Sequence, residues 1–389
     1  MNAMVRTPEG TRDRLFAECR ERRRVQKALG RLSQHRGYGE VSTPEVEFYD
    51  LFTCLGSPLP QEQLLKIIDR SGRIMVMRPD CTAPIARVAA SKLKKLPGPQ
   101  RLYYDQTVFR SGQEHRGGRC EIAQCGVELL GADGAKAEVE VLALAADSLR
   151  ACGLDQFHVE VGHVGYFHDL VQGAGLSAAE EETARSLIEG KNFAALADFL
   201  APYRSTVAGR ALDRLPYLFG GPEVLDEAEE LFRESAAIAY LRGLYLELAA
   251  AGYGDVFRFD LGLVHQIDYY TGVVFRGYAQ GAADAVLSGG RYDRLIAAFG
   301  PDTPATGFAV DVDAVAGCLE GIAAPELDTV IHYGAGCLAQ ALEALGRCPA
   351  GTAELSTQES ETDSRRMAQA KGAKRLLVVD GDGAREVDL

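Results

Sequence analysis

The chain has 389 residues, enough for two or three domains and a sizeable core. Apolar content is 47% and charged content 25%, an ordinary globular balance, and no apolar run is long enough to span a bilayer. The formal charge of −13 argues against nucleic acid as the main partner, because polyanion binders carry a basic face. Nine cysteines are scattered with no C-x-x-C pair, so reduced thiols are expected and a zinc site is not. The first residues, M-N-A-M-V-R-T-P-E-G, hold no apolar h-region. No signal peptide and a cytoplasmic location are therefore expected.

Thr11 is placed to cap a helix running to about Gln34, with Leu15, Val25, Leu29 and Leu32 near helical spacing. This helix carries R-E-R-R-R (20–24), read as a solvated face. G-Y-G-E-V-S-T-P-E-V-E follows as an extended segment broken by Pro44. R-I-M-V-M-R-P (73–79) reads as a strand, after which Asp80 or Thr82 caps a helix to about Leu93. Residues 101–110 and 121–130 read as the long strands of an antiparallel hairpin, joined by the polar loop S-G-Q-E-H-R-G-G-R. An alanine-rich helix covers about 134–151, and helical patterns fill 165–251. Strands resume at 256–261, 273–278 and 284–288. G-G-R-Y-D (289–293) then reads as a glycine pair entering a short helix, which is weak evidence for a phosphate cradle. The pattern predicts an α+β core over 1–322, an antiparallel sheet flanked by helices and interrupted by a helical insertion at about 165–251. Residues 326–389 read β-α-β-α-β, a small α/β domain ending in R-L-L-V-V-D.

Strand alternation puts Gln124 and Glu128 on one face of the hairpin, with Arg110 closing the opposite strand. An amino acid needs an anion for its ammonium group, a donor for its carboxylate and a partner for its side chain. Asp80, Thr82 and Gln124 can hold an ammonium, Arg110 a carboxylate, and Glu128 with Tyr270 a polar ring. Exposed polar residues on a sheet face are the plainer reading of the same spacing. His158, His163 and His168 recur every five residues, a period that fits one face of neither helix nor strand, so no metal site is expected. No Walker A loop and no G-x-G-x-x-G after a strand is present, and no cofactor is expected.

Together the motifs resemble the class II histidyl-tRNA synthetase fold from about residue 6 to 320. G-Y-G-E-V-S-T-P-E-V-E resembles the first class motif, and M-R-P-D-C-T-A-P the family's R-P-E-x-T. V-F-R-S-G-Q-E-H-R-G-G-R-C-E-I-A-Q-C-G-V-E-L-L-G matches the second motif without a gap. L-V-H-Q-I-D-Y-Y-T-G-V-V-F resembles the histidine signature. G-G-R-Y-D-R-L and T-G-F-A-V-D-V-D-A-V resemble the third motif. The resemblance implies a histidine pocket of Asp80, Thr82, Arg110, Gln124, Glu128, Tyr269 and Tyr270. Asp80 stands for the family's glutamate, one methylene shorter.

The departures are selective. His265 replaces the signature arginine that would neutralise the α-phosphate. Gly112 replaces the glutamate of F-R-x-E, Ile122 the aromatic partner of adenine, and Ala314 the arginine that grips the γ-phosphate. Arg291 remains but cannot replace the set. Losing one preorganised electrostatic contact costs about 100- to 1,000-fold in rate, so this nucleotide site is read as degenerate. The C-terminal segment resembles a truncated anticodon-binding domain, and tRNA is not expected as a partner.

This pattern resembles the regulatory subunits of ATP phosphoribosyltransferase, synthetase paralogues without aminoacylation activity. That resemblance implies a short-form catalytic chain as partner in the first step of L-histidine biosynthesis. It further implies a hetero-octamer of four plus four chains built on synthetase-like homodimers, and L-histidine as a feedback ligand. The alternatives are an active histidyl-tRNA synthetase, a histidine-sensing module for another partner, and a paralogue for a different amino acid. Histidine-dependent ATP–pyrophosphate exchange separates the first from the rest.

Overall fold

The computed structural model describes residues 5–53, 60–111, 118–264, 270–319, 321 and 325–389. The chain divides into two compact units, Met1–Glu320 and Gly321–Leu389. Among the described residues no helix is long and apolar enough to cross a membrane.

The first unit opens with α1 (Ala17–His35), β1 (Gly39–Glu40) and β2 (Val46–Phe48). Then come β3 (Lys66–Ile68), β4 (Ile74–Met77), α2 (Thr82–Ser91), β5 (Gln100–Phe109), β6 (Glu121–Leu130), α3 (Ala135–Cys152) and β7 (Phe157–His163). The helical insertion holds α4 (Val164–Ala174), α5 (Ala178–Glu189), α6 (Phe193–Leu200), α7 (Val207–Arg214), β8 (Phe219–Gly220), α8 (Glu223–Leu231) and α9 (Ala236–Ala250). The unit closes with β9 (Phe257–Asp260), β10 (Val273–Ala279), β11 (Leu287–Arg291), β12 (Ala305–Asp311) and α10 (Val312–Cys318). Nine strands pair in the order β1-β5-β6-β12-β11-β10-β7-β9-β8, and a smaller sheet pairs as β2-β4-β3. The central pairings, from β5 across to β7, are antiparallel, while β1–β5 and β7–β9 are parallel.

Alternation along the strands sorts the side chains into two layers. Ala123, Cys125, Val127 and Leu129 of β6 turn towards α1 and α3 and join the main core with Val161, Phe275 and Phe308. On the other face Leu102, Tyr104, Val108 and Leu130 pack with Cys81, Ile85 and Ala86 around α2. Gln124 and Glu128 of β6 share the face that α2 covers. Behind it, Arg291 of β11 is buried and its Nε donates to Glu138 Oε1 of α3 at 2.8 Å. Tyr240 of α9 donates to the other oxygen of Glu138. One buried carboxylate thus ties two helices to the sheet.

Several elements differ from the sequence reading. The first helix starts at Ala17, not near Thr11, whose hydroxyl donates to Pro8 O at 2.8 Å within a turn. The segment before it is held against the end of the hairpin, where Cys120 N donates to Gly10 O at 2.8 Å, so those residues cannot wind into α1. The pair Gly289–Gly290 lies inside β11 rather than at a helix start, and only the single turn Ile296–Ala298 follows. Both glycines answer to close packing. A Cβ on Gly290 would sit 2.5 Å from Val273 O and 2.7 Å from the Tyr270 ring. Strand β7 was absent from the sequence reading. It carries His158 and His163, and His163 Nδ1 caps α4 by accepting from Gly165 N at 3.0 Å. Burial pulls the His163 imidazole down to about 4, so it stays neutral and can accept.

The second unit runs β13 (Thr329–Tyr333), α11 (Leu338–Arg347), β14 (Ala353–Leu355), α12 (Glu361–Ala370), β15 (Arg375–Asp380) and β16 (Gly383–Asp388). Its sheet order is β14-β13-β15-β16. The expected β-α-β-α-β is extended by one antiparallel edge strand, β16, whose exposed charged residues hid its pairing from an apolar count.

Candidate functional site

The segment that enters α2 is fixed before it reaches the cavity. Arg78 is buried, and its guanidinium donates to Thr107 O at 2.8 Å and Thr43 O at 2.7 Å. Phe109 N donates to Arg78 O at 2.9 Å, and Arg110 Nε donates to Pro79 O at 2.9 Å. These bonds hold Arg78-Pro79-Asp80 against the end of β5. Pro79 stops the strand and Asp80 turns the chain into α2, where its Oδ1 accepts from Ala83 N at 2.9 Å.

A cavity of about 130 Å³ lies between α2 and the sheet. Asp80, Thr82, Arg110, Gln124, Glu128 and Tyr270 all line it. Tyr269 and His265 lie outside the described residues, as does Gly112. Ile122 stands on the same strand face as Gln124, two residues outward, and packs its side chain into the α2-side core. Ala314 packs against the main core, and its N–H is taken by Asp311 Oδ1 at 2.9 Å. Arg291 turns away from the cavity into its bond with Glu138.

Glu128 is the centre of the site. It is 2% exposed and sits between two hydroxyls. Thr82 Oγ1 donates to Oε1 at 2.8 Å, and Tyr292 donates to Oε2. Thr82 therefore spends its proton on Glu128 and can offer the cavity only lone pairs. Burial pushes the Glu128 carboxyl up to about 8, against the two hydroxyl bonds, and nearby Asp80 adds to the rise. Asp80 is raised too, first by burial, with Ala83 N–H and the Arg110 charge pulling the other way. Burial and the Glu128 charge also raise the Tyr270 phenol, which stays protonated as a donor. Gln124 is buried beside them, and its amide has no hydrogen-bond partner among the described residues. The cavity thus gathers two acids, one guanidinium and an uncommitted amide. That set suits a small molecule with an ammonium and a carboxylate.

The floor is made by glycine. A Cβ on Gly307 would lie 2.0 Å from Glu128 Oε2 and 2.3 Å from Val127 O, so any side chain there would displace the carboxyl. Sequence reasoning missed three contributors: Tyr292, which bonds Glu128; Tyr104, which packs beside Gly126; and Gly307. The signal for Tyr292 was in G-G-R-Y-D, which only a strand assignment would have aimed at the cavity.

Asp311, which Gln124 faces across the sheet, is matched by a cation. Arg119 pairs with Asp311, and its other nitrogen lies 3.8 Å from Asp313. Arg14 donates to Asp313 at 2.8 Å. Hence Arg14 and Arg119 answer carboxylates of α10 and its cap.

The elevated Glu128 makes a pH prediction. Below about pH 4.5 the carboxyl is protonated in folded and unfolded chains alike; between there and about pH 8 only the folded chain keeps the proton. The native state then binds more protons, so its stability falls as pH rises through this window. Glu128→Gln keeps a neutral group of similar shape and removes that slope. Urea midpoints should show the variant gaining on the natural chain from pH 5 to pH 8. Parallel midpoints would mean that Glu128 is already ionised in the fold.

A family model described as histidyl-tRNA synthetase matches residues 10–315. The ATP phosphoribosyltransferase regulatory subunit of Clostridium kluyveri is 39% identical over 383 residues, covering 95% of this chain and 98% of the relative. That of Clostridium acetobutylicum is 39% identical over 350 residues, covering 87% and 86%. A solved structure from Bacillus halodurans, described as an ATP phosphoribosyltransferase regulatory subunit/histidyl-tRNA synthetase, superposes with a TM-score of 0.87 at 30% identity, covering 98% of this chain and 100% of that one. The α+β core is thus the histidyl-tRNA synthetase-like fold of class II, and the chain belongs to the family of ATP phosphoribosyltransferase regulatory subunits.

Proposed function

We propose that the chain regulates a separate, short-form ATP phosphoribosyltransferase chain in the first step of L-histidine biosynthesis, in the cytoplasm, and reports L-histidine to it. The observation that carries this reading is a contrast between two sets of residues. Six residues that suit an amino acid converge on one cavity, whereas Ile122 packs into the α2-side core where the resemblance puts an aromatic partner of adenine, and Ala314 packs against the main core where it puts a phosphate-gripping arginine. In the proposed pose Asp80 and Gln124 take the ammonium, Arg110 the carboxylate, and Glu128 with Tyr269 and Tyr270 the imidazole. Thr82 acts through Glu128 and through its lone pairs. Residues 326–389 fit a shortened anticodon-binding-like domain with no tRNA role.

A ligand shifts a complex only if it binds two states unequally, with coupling of about 1–3 kcal/mol. Glu128→Ala leaves a ring donor and two hydroxyls without their acceptor, at about 1–3 kcal/mol. Histidine inhibition of the rebuilt complex should therefore weaken roughly 5- to 150-fold with Glu128→Ala and similarly with Arg110→Ala, while activation of the catalytic chain survives. If both inhibition curves overlay that of the natural chain, histidine acts elsewhere.

The same reading includes a homodimer through residues 41–47, the unit of a hetero-octamer of four regulatory and four catalytic chains. Register in the small sheet supports it. Val46 and Phe48 of β2 share a face with Ile67 of β3 and with Met75 and Met77 of β4, while Glu47 and Val76 turn inward. Phe48 is 50% exposed on this apolar face, a patch that monomers seldom leave to water. Light scattering of the isolated chain at micromolar concentration should give twice the monomer mass, and Phe48→Asp should shift it towards the monomer. A natural chain of monomer mass would remove the dimer from the account.

A further inference from the structure

Helix α1 carries a run of cations along one face. Arg20, Arg23, Arg24, Lys27 and Arg31 line a groove of about 610 Å³. At 100° per residue these five fall within an arc of about 100°, and they climb about 16 Å along the axis. Arg22, on the buried side of the helix, faces Asp313 at 3.9 Å. The five groove cations have no ion-pair partner among the described residues, although acids outnumber bases in the chain, 55 to 42.

We propose that this face of α1 docks an acidic helical segment of the catalytic partner chain, an inference that rests on the proposed regulatory function. Charge complementarity identifies the occupant. Cations one helical turn apart meet carboxylates spaced at i, i+4 and i+7 on a facing helix, turn against turn. Bidentate arginine favours carboxylate recognition, and the long side-chain stems beside Ala28 give the partner an apolar bed. Nucleic acid fits less well, because the net charge of −13 repels a polyanion at long range while leaving the local patch intact.

The test uses the full regulatory and catalytic chains. Arg23 and Lys27 are both exposed, so Arg23→Glu/Lys27→Glu changes charge without disturbing the core, and melting and circular dichroism verify the fold. Arg23→Gln/Lys27→Gln is the milder companion. The reversal should slow association with the catalytic chain roughly 10- to 100-fold at low ionic strength, with the neutral variant between. The difference should fade at high salt. Folded variants that associate at the natural rate at both salt concentrations overturn the proposal. So does loss of the variant's own dimer mass, which would assign the face to a second copy. Single-stranded RNA that binds the natural chain and not the variant would assign it to nucleic acid, overturning it as well. A natural chain that binds no catalytic partner at all is a different result, because it removes the regulatory reading itself.

Discussion

Two carboxyl groups share one small enclosed cavity, and most of the site follows from that. Asp80 and Glu128 are both raised by burial, each is raised or opposed by its neighbours, and Arg110 is the one guanidinium among the lining residues. Burying two like groups is unfavourable unless protons, donors or a cation compensate. Thr82, Tyr292 and Ala83 N–H supply donors, and the elevated Glu128 holds a proton. Under the proposed reading a ligand ammonium adds the cation, and charge pairing takes over from protonation as the compensating interaction.

The scaffold is arranged to keep that cavity tight. Gly307 and Gly290 let neighbouring strands approach until Glu128 and Tyr270 fill the space that side chains would take. Buried Arg78 fastens the α2 entrance to two backbone carbonyls, and the Glu138–Arg291 pair fastens the opposite face of the sheet to α3. Since the acids sit on β6 and at the start of α2, a shift of that helix changes both together. Under the proposed reading this coupling is what lets the cavity carry a signal.

Much of this was legible in the sequence because it depends on period and order. The hairpin Gln100–Phe109 and Glu121–Leu130 was readable from alternation, and alternation alone put Gln124 and Glu128 on one face. The helical insertion was readable from its apolar spacing. What escaped was decided by tertiary contact. Thr11 has the chemistry of a cap, yet its neighbours bond to the far end of the hairpin. Gly289–Gly290 has the look of a turn, yet the need is for close strands. Tyr292 and Arg291 are adjacent in sequence and point to opposite faces, one to Glu128 and one to Glu138, which no composition reveals. The small sheet hid its apolar face because Val46, Phe48, Ile67, Met75 and Met77 come from three separate strands.

Under the proposed reading the cavity holds a proton that an amino acid's ammonium group displaces. The direct measurement is calorimetric titration of the isolated chain with L-histidine near pH 7, in two buffers of different ionisation enthalpy. Binding should release protons, because the ligand charge lowers the raised carboxyls, and Glu128→Gln should reduce the release. L-histidinol, which has no carboxylate for Arg110, should bind more weakly. Absence of binding, or binding with proton uptake that Glu128→Gln leaves unchanged, would contradict the account.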